Sequence, residues 1–238
     1  MDKTVTSDIS DHRFHDGQEL LAKLSQSDRA VGLEALRLLR QDEAAAKTFP
    51  IDVERALLTV AARAAPTDSA PLLENLTTTY GATLALRTEA CLLFAEVAPT
   101  RALEVLEPLV KKVKPGQTLP PAEFLVKSWV IACDKANVSP VPLLCDVATN
   151  MFQDESARVF ATKALGGRKE PLAVQALNAI LVESTGDGYL RRKAAQGLLA
   201  SLDQESACKL FTHVADNEGD LNMLQFLRDL LDKNCGGK

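Results

Sequence analysis

Apolar residues recur along this chain three and four positions apart, the spacing of one helix face. Val31, Ala35, Leu36 and Leu39 form such a stripe after Ser27-Asp28. Asp16-Gly-Gln-Glu19 opens a shorter helix with Leu20, Leu21 and Leu24 on one side, an acceptor at its cap and a glutamate three residues on. A helix from Asp52 carries Ala56, Leu57, Val60 and Ala64. Pro66-Thr-Asp-Ser69 reads as a turn in which Ser69 caps the next helix, with Pro71 in the first turn. Leu86, Ala90, Phe94 and Val97 form the next stripe, and Leu103, Leu106, Val110 and Val113 the one after.

The second half keeps this rhythm. A helix runs from Pro120-Pro121 to about Asn137, and Ser139-Pro140 restarts the chain for a helix over 140–153. Ala173, Leu177, Ile180 and Leu181 face inward from the helix after Pro171, and Leu190, Ala194, Leu198 and Leu202 from the following one. Asp203 caps a helix with Ala207, Leu210, Phe211 and Val214. Asp220 caps the last, with Leu224, Leu227 and Leu231. No segment shows sustained alternation of apolar and polar residues, so no strands are predicted. About a dozen helices with short connections pair into roughly six hairpins.

One phrase occurs twice. Asp154-Glu-Ser-Ala-Arg158-x-x-Ala161-x-x-x-Leu165 returns as Asp187-Gly-Tyr-Leu-Arg191-x-x-Ala194-x-x-x-Leu198, which sets the arginines 33 residues apart. A recurrence at that period marks a helical repeat protein. Arg87-x-x-Ala90-x-x-x-Phe94 lies 71 residues before Arg158, and Val53-x-x-Ala56-x-x-x-Val60 lies 34 before Arg87. A two-helix unit cannot bury its own apolar face, so it leans on the next.

This phrase resembles the HEAT-repeat family, in particular its short bacterial forms. Their units run from Asp through a hydrophobic residue and Arg to Ala-Leu-Gly, as Asp154 to Arg158 and Ala164-Leu165-Gly166 do here. In the second copy Gly197 and Leu198 stand where Ala-Leu is usual, and Leu84-Ala-Leu-Arg87 lacks the Asp. The resemblance covers about residues 82–110 and 152–217. It implies an all-α fold, an α-solenoid of about six antiparallel hairpins wound as a right-handed, armadillo-type superhelix. Residues 1–16 would be a flexible tail, 17–235 a single helical-repeat domain and 236–238 a frayed end. Arg87, Asp154, Arg158, Asp187 and Arg191 would be repeat-defining. The aspartates would cap second helices, and Arg158 and Arg191 would reach a carboxylate or carbonyl in a neighbouring repeat.

Composition narrows the functional classes. The chain has 238 residues, 46% hydrophobic and 25% charged, enough apolar material for a sizeable core. Its net charge of −5 argues against general binding to phosphate backbones or anionic lipid. No uncharged apolar run reaches the ~18 residues of a membrane span, and Met1 to Gly17 lacks the apolar segment of a signal peptide. The five cysteines (Cys91, Cys133, Cys145, Cys208 and Cys235) are odd in number and scattered. They read as small buried hydrophobes in a reducing, cytoplasmic compartment, not as a disulfide framework.

Candidate chemistry is sparse, and no catalytic, metal or cofactor signature emerges. His12 and His15 lie in the expected tail, and His213 reads as a surface histidine. Iron-binding relatives of the family carry His-Glu pairs, and no such dipeptide occurs here. Arg168, Arg191 and Arg192 could form a basic ridge for nucleic acid. The family also includes bilin lyases, which implies an enzyme or enzyme accessory as an alternative. Trp129 reads as core, and Tyr189 as a contact at a repeat edge. The favoured expectation is a non-enzymatic scaffold that binds a protein or peptide on the concave face through Lys163, Tyr189, Arg192 and Gln196. The C-terminal helix, with Met223, Phe226 and Leu230, is a candidate for self-association.

Overall fold

The computed structural model describes residues 29–45, 49–79, 82–112, 120–183 and 188–235. The expected tail over 1–16, the short helix with Leu20 to Leu24, Asp187 and the 236–238 end lie outside the described residues. Among the described residues the chain forms twelve α-helices and no strand. In order they are α1 (Arg29–Ala45), α2 (Ile51–Ala64), α3 (Pro66–Thr78), α4 (Leu84–Val97), α5 (Pro99–Lys112) and α6 (Ala122–Ala136). They continue with α7 (Val141–Thr149), α8 (Glu155–Leu165), α9 (Pro171–Glu183), α10 (Gly188–Ser201), α11 (Gln204–Asp216) and α12 (Leu221–Cys235).

Where the sequence suggests one array over 17–235, the chain groups into two compact units. The first comprises Met1–Pro108 and Thr118–Asn137, the second Leu109–Gln117 and Val138–Lys238. In the first unit α1 pairs with α2 and α3 with α4, while α2 lies beside α4 and α4 beside α6. The α1 stripe is buried as expected: Val31, Ala35, Leu36 and Leu39 all turn inward. Arg29 clamps Asp68 with two hydrogen bonds of 3.1 Å, and Arg101 reaches back from α5 to Glu74 at 2.7 Å.

Proline placement corrects one expectation. Pro66 is the first residue of α3 rather than part of a turn, and Ser69 is a buried helical residue whose hydroxyl donates to the Pro66 carbonyl at 2.9 Å. Proline fits a first helical position because its fixed φ is already helical and its missing N–H has no partner there. Pro71 consequently lies inside α3.

In the second unit the hairpins are α7/α8, α9/α10 and α11/α12. The first helices α7 and α9 lie side by side, and so do the second helices α8, α10 and α12 in succession. Their shared core includes Leu144, Leu165, Leu177, Ile180, Leu181, Leu190 and Leu198, all almost wholly buried. The helix expected over 140–153 stops at Thr149. Asn150 ends it: its side-chain oxygen accepts from Phe152 N at 3.0 Å, the local turn that asparagine favours. Met151 and Phe152 are thereby placed in the turn rather than on the helix.

Candidate partner-binding face

Side-chain caps set the starts of α4, α8 and α12. The Asp154 carboxylate accepts from Ser156 N at 2.9 Å and Ala157 N at 3.3 Å at the start of α8. Asp220 does the same for Asn222 N and Met223 N at the start of α12. Thr83 accepts from Leu86 N in α4. These groups satisfy amide donors that a helix start otherwise leaves open.

Arg87, Arg158 and Arg191, the arginines expected to define repeats, are each the fourth residue of their helix. Arg158 Nε donates to the Ala148 carbonyl at 3.4 Å, ten positions back. Arg191 Nε donates to the Leu181 carbonyl at 2.8 Å, again ten back. The arginines thus tie each second helix to the end of its first. Arg191 also forks onto Glu218 in the α11–α12 turn, with Nη1–Oε1 at 3.3 Å and Nη2 on Oε2. Both side chains are buried, at 9% and 6% exposure. The Arg191 hydrogen bond holds the Glu218 carboxyl below its ordinary value, against the opposing effect of burial. Arg87 is buried in α4 at 3% exposure.

Sequence reasoning missed Glu218. The position 33 residues earlier is Thr185, so the carboxylate does not recur and no periodicity points to it.

The four expected contact residues all reach solvent on adjacent helices. Lys163 is exposed on α8, and Arg192 and Gln196 are exposed on α10. Tyr189 is 52% exposed at the start of α10, with Lys193 Nζ 5.2 Å from its ring centre, a cation–π arrangement. Lys193 also donates to Gln196 at 3.1 Å, and the Arg192 guanidinium lies 5.8 Å from the Phe226 ring. The C-terminal helix presents less than its sequence suggests, because Met223 is buried at 1% exposure.

Of the exposed large apolar side chains in this unit, Val138 and Leu172 lie away from the hairpin turns and the others lie at them. Met151 and Phe152 (73% and 78% exposed) lie in the α7–α8 turn. Val182 and Tyr189 flank the α9–α10 connection, and Leu221 (80%) follows the α11–α12 turn.

The remaining candidates have structural surroundings. Arg168 Nε donates to the Ala164 carbonyl at 2.9 Å, and buried Arg191 is engaged by Glu218, so the expected basic ridge lacks its middle member. Among the described residues no group of three His, Cys, Asp or Glu side chains could hold a metal, and His12 and His15 lie outside them. His213 is exposed beside an open cleft lined by Val182, Arg191, Glu218 and Asp220. Trp129 is buried at 4% exposure.

Three cysteines fit the sequence reading. Cys91, Cys133 and Cys145 are buried and in no disulfide. Burial pushes the Cys91 thiol up to about 12 and the Cys145 thiol up to about 11, the opposite of an activated nucleophile. The other two correct it: Cys208 and Cys235 form a disulfide with their Cα atoms 5.9 Å apart. Pairing of α11 with α12 brings the two positions together across 27 residues, a proximity that sequence spacing does not reveal.

Among the described residues no helix is long and apolar enough to cross a membrane. No protein family, curated protein or solved structure matches the chain.

Proposed function

We propose that this chain is a non-enzymatic interaction module built from HEAT-like hairpins, each unit a short run of α-solenoid. What supports the repeat reading is the shared arginine geometry of α8 and α10 and the side-by-side succession of α8, α10 and α12. The partner is a protein or peptide. It lies across the exposed face of α8 and α10, where Lys163, Arg192 and Gln196 stand, and onto the adjoining turn edge with Tyr189.

The observation that carries this reading is the concentration of Met151, Phe152, Val182, Tyr189 and Leu221 at successive turns of one unit. Grouped apolar exposure of this kind marks interaction surfaces, whereas single exposed residues need no explanation. Aromatic residues are also the usual anchors of such contacts.

The test is affinity capture with cross-linking, comparing wild type with two variants. One replaces Lys163, Arg192 and Gln196 by alanine, and the other replaces Phe152 and Leu221 by serine. Partner recovery is expected to fall in both, with cross-links mapping to α8, α10 and the turns. Recovery at the wild-type level in both variants would remove this face from consideration.

A further inference from the structure

The last helix is held unevenly along its length. Its first half is anchored: Asp220 caps it, and Met223 and Leu227 are buried at 1% and 0% exposure. Beyond Leu227 no residue of α12 is buried. Leu230, Leu231, Asn234 and Cys235 are half-buried, and Arg228, Asp229, Asp232 and Lys233 are exposed. Two ties to α11 hold this outer half, the Cys208–Cys235 disulfide and a hydrogen bond from Gln204 Nε2 to the Asn234 carbonyl.

Among the five cysteines, solvent reaches the two of this disulfide best. Cys208 is half-buried, next to exposed Lys209, and Cys235, the last residue of α12, is half-buried too. Cys91, Cys133 and Cys145 are buried. Thiol–disulfide exchange requires an attacking thiolate to reach a sulfur, so access confines the exchange to one pair.

We propose that Cys208–Cys235 is a redox-operated clasp on the outer half of α12, opened and closed by small thiols and disulfides. In opening, the thiolate of a thiol such as glutathione attacks one Sγ and breaks the S–S bond. This leaves a mixed disulfide and a protein thiolate that takes up a proton. A second thiol then attacks the mixed disulfide. It releases the small disulfide and leaves two protein thiols, so the protein gains two electrons and two protons. Closure is the reverse, with the small disulfide as oxidant. Opening removes the covalent tie from a segment with no buried side chain. The outer turns then fray while the capped, buried first half stays in place.

The experiment uses the full chain equilibrated in glutathione buffers from fully reduced to fully oxidised. The linked fraction is read by alkylation and mass spectrometry, and amide hydrogen exchange is followed in parallel. The Cys208–Cys235 linkage is expected to titrate reversibly. Exchange over residues 228–235 is expected to rise on the order of tenfold or more on reduction, with α8 and α10 unchanged. A Cys208→Ser, Cys235→Ser double variant should show the reduced pattern in every buffer. Three results would overturn the proposal: a pair that never links at any glutathione ratio, unchanged exchange over 228–235 on reduction, or loss of protection throughout the second unit. The last would make the bond a general staple of the fold. The wild-type titration stands without the variant if the variant does not fold.

Discussion

The backbone of Gly166 occupies the space that a side chain on Gly197 would need. A Cβ built on Gly197 would lie 3.1 Å from the Gly166 Cα, and a Cβ on Gly166 would lie 3.1 Å from the Gly197 Cα. Hydrogen bonds reinforce the contact. Gly167 N donates to Ser201 Oγ at 3.0 Å, and Ser201 Oγ donates to the Gly197 carbonyl at 2.8 Å. The end of α8 is thus set directly on the middle of α10. This accounts for one departure in the repeated phrase, where Gly197 replaces the alanine of the first copy, Ala164.

Replacing Gly197 by alanine should therefore destabilise the protein although alanine is the better helix former. The added methyl would meet backbone on one side and the Leu177 methyls at 3.2 and 3.3 Å on the other. Overpacking of that kind costs about 1–3 kcal/mol, which outweighs the roughly 1 kcal/mol gained in helix propensity. Gly188→Ala is the control, because a Cβ there meets nothing within 4 Å. Its urea midpoint should be unchanged or slightly raised, while that of Gly197→Ala should fall.

Arg158 and Arg191 occupy equivalent positions but should differ in what their loss costs. Arg191→Ala would leave the Glu218 carboxylate, which lines an open cleft and keeps the Asp220 amide, without its cation. The cost should approach but not reach the about 3–5 kcal/mol of a fully buried pair. Arg158→Ala removes one long hydrogen bond from a half-buried side chain and should cost about 1 kcal/mol. Chemical denaturation of both variants should separate them clearly. A paired Arg191→Met, Glu218→Leu variant should recover most of the stability lost in Arg191→Ala, since an apolar pair leaves no charge stranded.

Stability should fall on acidification, and Glu218 should account for part of the fall. Its hydrogen bond to Arg191 lowers its pKa in the folded state. Hydrogen bonds from backbone amides lower those of the exposed caps Asp203 and Asp220. A carboxyl depressed by folding stabilises fully above its unfolded value, about pH 4. That contribution disappears as pH falls through the folded value beneath it, because the unfolded chain then takes up protons first. Thermal midpoints measured from pH 7 down to pH 2.5 should drop below about pH 4. In Glu218→Gln the curve should start lower and slope less.

The sequence was most legible where one helix face alone is apolar. All four residues of the α1 stripe are buried. In α2, apolar residues lie on more than one side. The buried set there includes Leu58, Ala61 and Ala62, while expected Ala56 and Ala64 are only half-buried. Periodicity does not choose among neighbouring faces when several are apolar. Caps at Asp154, Asp203 and Asp220 were legible because they act within three residues of themselves. Glu218 and the Cys208–Cys235 pair were not, because their contacts arise from how one hairpin meets the next. The exposure of Phe152 was hidden for a smaller reason: Asn150 ends α7 one turn before the apolar pattern does.

Leu198→Asp tests the core of the second unit most directly. Leu198 is 0% exposed and sits one residue beyond the Gly197 contact in α10, a helix that touches α8, α9, α11 and α12. A carboxylate there would be buried with no cation to meet it, or would have to take up a proton to stay neutral. Leu198→Ala should already cost about 2–5 kcal/mol through the cavity it leaves, and the aspartate should cost more. The thermal midpoint should fall steeply for aspartate and less for alanine, with hydrogen exchange rising first in α9 to α12. Raising the pH from 5 to 8 should deepen the defect of Leu198→Asp alone, since ionisation of the buried carboxyl favours the unfolded chain. A midpoint equal to wild type in the aspartate variant would mean that α10 does not hold this unit together.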